Sequence, residues 1–113
     1  MQIRNKHGEK IDHAFHDVDG VNDKLVILAH GVTGDKDREM MVELSNMLAN
    51  MGWPTMRISF SGCGNSEGKF TDATISKESD DLVAILDQVK GTKKIAYIGY
   101  SMGGAVGALT AAK

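Results

Sequence analysis

Apolar residues arrive along this chain in short blocks separated by glycine-rich or charged breaks, and their period changes from block to block. KLVILAH, residues 24–30, is an uninterrupted apolar run bounded by turn residues, the pattern of a strand covered on both faces. KKIAYIGY, residues 93–100, repeats that pattern and reads as a second buried strand. Between them, REMMVELSNMLANMGW sets Met40, Leu44, Met47, Leu48 and Met51 on one helical stripe, with Gly52 as its stop. ISKESDDLVAILDQVKG does the same with Leu82, Ile85, Leu86 and Val89; Glu78, Asp80 and Asp81 favour its start and Gly91 its end. PTMRISF, residues 54–60, reads as a strand whose proline falls where a strand tolerates it.

The remaining segments connect these elements. MQIRN and KIDHAF flank the turn-prone HGEK and predict an antiparallel hairpin at a sheet edge. DVDGVND is a turn: its Gly20 comes too early for a calcium loop. SGCGNSEGKFTDAT, residues 61–74, predicts a long exposed loop. Its glycines are misspaced for a dinucleotide fingerprint, and no Ser or Thr follows Lys69 as a phosphate loop requires. Strand, helix, strand, helix, strand and a small-residue helical tail together mean crossover connections and an α/β layer architecture.

Composition narrows the classes without changing that picture. At 113 residues with 42% hydrophobic and 25% charged positions, the chain suits one compact domain spanning residues 1–113. A net charge of −2 offers nucleic acid no attraction, and no apolar stretch is long enough to span a membrane. The charged N-terminus lacks a signal-peptide core, and the single cysteine, Cys63, excludes an internal disulfide. The expectation is a cytoplasmic protein with no metal and no organic cofactor. His13 and His16, three apart on a strand, would face opposite ways and make no metal pair. The seven methionines read mostly as core filler on the first helix, and Cys63, with no basic group nearby, as incidental.

Two breaks carry candidate chemistry. Gly99-Tyr100-Ser101-Met102-Gly103 fits G-x-S-x-G between a strand and a helix, the context that pattern needs. A turn that tight forces the serine into a strained backbone conformation and leaves no room for side chains at its flanking glycines. His30-Gly31-Val32-Thr33-Gly34 also follows a buried strand, where acyl transfer requires backbone donors for an oxyanion.

With LAHGVTGDKDRE, RISFSGCGNSEGKF and IGYSMGGAVGAL in this order, the chain resembles the N-terminal half of an α/β-hydrolase over essentially all its length. The resemblance is to the branch of esterases, monoglyceride lipases and serine aminopeptidase-like enzymes. It implies the N-terminal part of that fold, an edge hairpin plus parallel strands with crossover helices, without the C-terminal strands. It also implies carboxylic-ester hydrolysis through an acyl-enzyme on Ser101, with a small acyl ester as substrate. The backbone N–H groups of Met102 and Val32 would form the oxyanion hole, Gly31 or Thr33 replacing Val32 if the loop turns differently. His30 would organise its loop or, less in keeping with the motif, act as a base. Where the family often carries an acidic and a basic residue, this chain reads Ser59-Phe60-Ser61-Gly62-Cys63-Gly64, a segment expected to shape the mouth of the site.

The family order is nucleophile, acid, histidine. Beyond Ser101 stand only MGGAVGALTAAK, with no Asp, Glu or His. The sequence therefore reads as a truncated hydrolase chain or as a non-catalytic binding module on the same fold. Without later strands, KKIAYIGY would leave an apolar edge open to pairing with a second copy.

Overall fold

The structure is a computed structural model that describes residues 2–89, 91 and 94–111. Four strands form one mixed sheet in the order β1-β3-β2-β4: β1 (His13–His16), β2 (Lys24–Ala29), β3 (Thr55–Ile58) and β4 (Lys94–Gly99). β2 is central and parallel to both neighbours, pairing Ala29 with Ile58 on one side and with Gly99 on the other, while β1 runs antiparallel to β3. The connections are helical, with α1 (Glu39–Asn50) on one face of the sheet and α2 (Ile75–Val89) and α3 (Met102–Ala111) on the other. Among the described residues no helix is long and apolar enough to cross a membrane.

The alternation of side chains along β2 explains why its sequence is apolar throughout. Leu25, Ile27 and Ala29 join Ile58, Phe60, Leu82, Ile85 and Val106 in the core beneath α2 and α3, whereas Val26 and Leu28 meet Met41, Leu44 and Leu48 of α1. A central strand covered on both faces has no polar position to spare.

The N-terminal arms pair antiparallel through the Arg4–Lys10 bridge and the Ile11 N–H bond to Ile3 O, the hairpin expected there, with β1 in its second arm at the sheet edge; three other expectations need correction. The turn is closed by a side chain: Asn5 Oδ1 accepts the amides of His7 and Glu9, which frees Ile3 and Ile11 to enter the core. On α1 the buried face is rotated from the methionine stripe. Met41 and Ser45 are buried and Leu44 and Leu48 partly so, while Met40, Met47 and Met51 are 48%, 61% and 69% exposed. Ser45 can face inward because its hydroxyl pairs with that of Thr55 on β3.

β4 shares the apolar look of β2 but not its burial. Ile95 and Tyr97 pack on the core, and Ala96 and Ile98 face outward uncovered, because α1 lies over the other three strands. The segment 61–74 is likewise not simply exposed: Ser61 and Cys63 are buried, and Phe70–Asp72 form a short 3₁₀ turn. Glu78 falls in the first turn of α2, as expected, and Asp81 stands three residues on. Both are buried, and Asp81 accepts hydrogen bonds from Asn5 Nδ2 at 2.8 Å and from the Ser61 amide at 2.7 Å. Met1, Lys90 and Lys93, assigned above to the first arm, the second helix and the last strand, lie outside the described residues, as do residues 112–113 of the helical tail.

Candidate active site

The parallel pairing of β2 with β4 brings the ends of two strands side by side, and each runs into a turn that ordinary residues disfavour. Ser101 has φ 54 and Thr33 has φ 61; among the described residues they are the two non-glycine positions in the left-handed region. The Ser101 turn is held by Gly103 N–H donating to Tyr100 O and Gly104 N–H to Ser101 O, both at 2.9 Å. A Cβ on Gly99 would stand 2.4 Å from the Gly103 backbone, so the entry to α3 admits only glycine there. The two turns touch: a Cβ built on Gly31 would meet Ser101 Cβ at 3.2 Å.

His30 fastens the first turn from below. It is buried, its Nε2 accepts the Phe60 amide at 3.0 Å, and its Nδ1 lies 2.7 Å from Gly31 O. Acceptance at Nε2 places the ring proton on Nδ1, which then donates to Gly31. Burial holds this imidazole below its ordinary pKa, against an opposite pull from the Gly31 carbonyl and Asp35. With both nitrogens engaged in its own loop, His30 offers no free lone pair toward Ser101. His7 sits in the N-terminal turn, and His13 and His16 lie on β1 at the far edge of the sheet.

Two amides remain unused at the junction: neither Val32 N–H nor Met102 N–H donates to any described residue. The serine hydroxyl is equally alone, since no described side chain is hydrogen-bonded to Ser101 Oγ. A cavity of about 410 Å³ opens over it, walled by Val32, Met40, Met41 and Tyr100, with Arg38 and Glu39 also at its lining. Among the described residues, no group of three or more His, Cys, Asp and Glu is gathered to hold a metal.

The segment after β3 braces this site. Ser59 Oγ accepts the Lys36 amide at 2.9 Å, Phe60 holds His30, and Ser61 hangs on Asp81 of α2. Cys63 sits behind it, its thiol pushed up to about 11 by burial and by Glu78, Asp81 and Asp35, which leaves it protonated and inert at neutral pH. Sequence reasoning missed Arg38, Met41 and Tyr100 as cavity residues and Asp81 as the loop's anchor. Asp81 had a usable signal: a carboxylate one position before Leu82 and four before Ile85 lies next to the apolar face of its helix.

A mixed sheet between helices, with two strained loops meeting at the carboxyl ends of adjacent parallel strands, defines an α/β fold with a site at its strand ends. A profile of the α/β-hydrolase fold matches residues 24–113, and the chain belongs to that family. Est1E from Butyrivibrio proteoclasticus, solved with ferulic acid bound, is 31% identical with a TM-score of 0.89, over 99% of this chain and 47% of its own. The esterase Pf2001 from Pyrococcus furiosus is 31% identical with a TM-score of 0.83, over 94% and 43%. An esterase from Exiguobacterium antarcticum, at 20% identity and a TM-score of 0.85 over 100% and 40%, shares the fold. The chain spans less than half the length of each of these three structures, matching the N-terminal part of the fold. Comparison with curated proteins finds no match.

Proposed function

We propose that this chain carries the nucleophile and oxyanion hole of a serine hydrolase acting on carboxylic esters. Ser101 Oγ would attack the ester carbonyl carbon, passing its proton to a base. The tetrahedral oxyanion would be received by the N–H groups of Val32 and Met102, and the alcohol would leave with a proton as the acyl-enzyme forms. Water then releases the acid by the same steps in reverse order. The observation that carries this reading is the contact between the Gly31 turn and the Ser101 turn, with two unspent amides and an open cavity at the junction.

The base and its orienting acid are not among these residues in the family's order, and His30 is committed elsewhere. Loss of a triad member typically costs about 10⁴–10⁶ in turnover, roughly 5–8 kcal/mol of barrier. Activity at full rate therefore requires an acid and a histidine from polypeptide outside the 113 residues. The unassisted Ser101 hydroxyl also favours a second reading, in which the 113 residues alone bind an acyl ligand without turning it over. Since Est1E was solved with ferulic acid, methyl ferulate is a reasonable first ester for either reading.

Intact-mass detection of fluorophosphonate labelling, with Ser101→Ala as control, tests the proposal. One adduct, lost in the variant, is expected, forming slowly because these residues offer Ser101 no base. A folded chain that takes no adduct would sink hydrolysis by these residues alone and leave the binding reading.

A further inference from the structure

We propose that Arg38 is a positioning residue for the oxyanion hole, holding the far end of the turn 31–34 so that the Val32–Thr33 peptide keeps its orientation beside the Val32 amide and Ser101; the inference rests on the reading of Ser101 and Val32 given above. The turn is closed by Gly34 N–H donating to Gly31 O at 3.1 Å. Thr33 at its third position has positive φ and Val32 at its second does not, which is type II geometry. That geometry suits glycine or asparagine; a β-branched threonine holds it only under restraint.

The restraints are visible at each carbonyl. Gly31 O receives both His30 Nδ1 and Gly34 N–H, and Val32 O receives Thr33 Oγ1 at 2.6 Å. Thr33 O receives the Arg38 guanidinium at 3.2 Å. Because the Gly31–Val32 peptide is planar and trans, a Gly31 carbonyl fastened toward His30 leaves the Val32 N–H pointing the opposite way. His30 thus sets one end of the turn. The other end is set by Arg38, which sits just before α1 and lines the cavity over Ser101. Without that bond, Thr33 can relax to negative φ, which turns the Val32–Thr33 peptide over and changes the electrostatic face presented to Ser101.

The test uses the same fluorophosphonate, now with rates: the maximal labelling rate and the half-saturating probe concentration for the wild-type chain, Arg38→Met and Arg38→Lys. Arg38→Met keeps the apolar stem of the cavity wall and removes the donors. It should lower the maximal rate about tenfold, the order expected for a disturbed oxyanion hole, with half-saturation within about twofold. Arg38→Lys, which still reaches a carbonyl, should recover most of that loss, and the melting temperatures of all three should agree. Labelling of Ser101 at wild-type rate in Arg38→Met would overturn the positioning role alone. Equal losses in both variants with lowered melting would also overturn it, by showing a structural role. Absence of labelling in the wild-type chain removes the reading of Ser101, and this inference with it.

Discussion

The two turns that meet over the sheet are opposites. On the β2 side the carbonyls of Gly31, Val32 and Thr33 each have a donor, and the histidine beneath them spends both ring nitrogens. On the β4 side the serine that would do the chemistry has an unpartnered hydroxyl, in the turn after a strand whose outer face is bare. The same contrast runs through the packing, since β2 is covered by helices on both faces and β4 on one. An oxyanion hole is built from backbone, which a well-packed strand and its turn can orient alone. A general base is a side chain that must come from another element, so under the proposed reading the 113 residues would supply the first half of the site and not the second.

The largest effect should come from breaking the fastened side. His30→Ala removes the acceptor of the buried Phe60 amide and opens a cavity against the Phe60 ring, whose centroid lies 5.0 Å from that of His30. The two losses together should cost about 3–5 kcal/mol of stability. Fluorophosphonate labelling at a temperature where the variant is still folded should fall as well, because the Gly31 carbonyl is released. A variant that melts like the wild-type chain in urea would show that the histidine clasp contributes nothing.

A second test asks what the brace behind the turn costs. Glu78 is buried beside Asp81, and burial first, then the Asp81 charge, pushes its carboxyl from 4.5 up to about 7. Asp81 is raised too, by burial, against hydrogen bonds from Asn5 and Ser61. A raised acid binds its proton more tightly in the folded chain than in the unfolded one. The stability tied to Glu78 is therefore fully present below about pH 4.5 and is lost as pH rises through about 7, a loss of roughly 3 kcal/mol. Glu78→Gln keeps the shape and cannot ionise, so its urea midpoint should fall much less between pH 5 and pH 8 than the wild-type midpoint does. Parallel pH profiles for the two proteins would place the burden on Asp81 instead.

The contrast also explains which features were legible in the sequence. KLVILAH announces β2 because a strand buried on both faces must be apolar at every position. KKIAYIGY looks the same, yet Ala96 and Ile98 are uncovered, because composition records what a face is suited to meet and not whether anything meets it. The buried face of α1 was hidden for a related reason: Ser45 is polar but satisfied by Thr55, and three methionines are apolar but turned outward. The turns that carry Ser101 and Val32 could be located because glycine spacing is a backbone property. Arg38 and Asp81 could not be assigned partners, because side-chain hydrogen bonds join segments that only the fold brings together.

The smallest effect on stability is expected on the open side, and its size decides what that side does in solution. Ile98 is 42% exposed on the outer face of β4, where a charge costs little desolvation, so Ile98→Lys should change the folding free energy by no more than about 0.5 kcal/mol. The same replacement at Leu28, fully buried on β2 beneath α1, would bury an unpaired ammonium and prevent folding. If the free β4 edge recruits a second copy, Ile98 is covered in that assembly and the near-neutral result fails. Ile98→Lys would then cost about 2 kcal/mol or more at high protein concentration, approach neutrality on dilution, and reduce the sedimenting mass. Concentration-independent neutrality would instead leave β4 an exposed edge, with Ser101 open beside it to whatever polypeptide supplies the base.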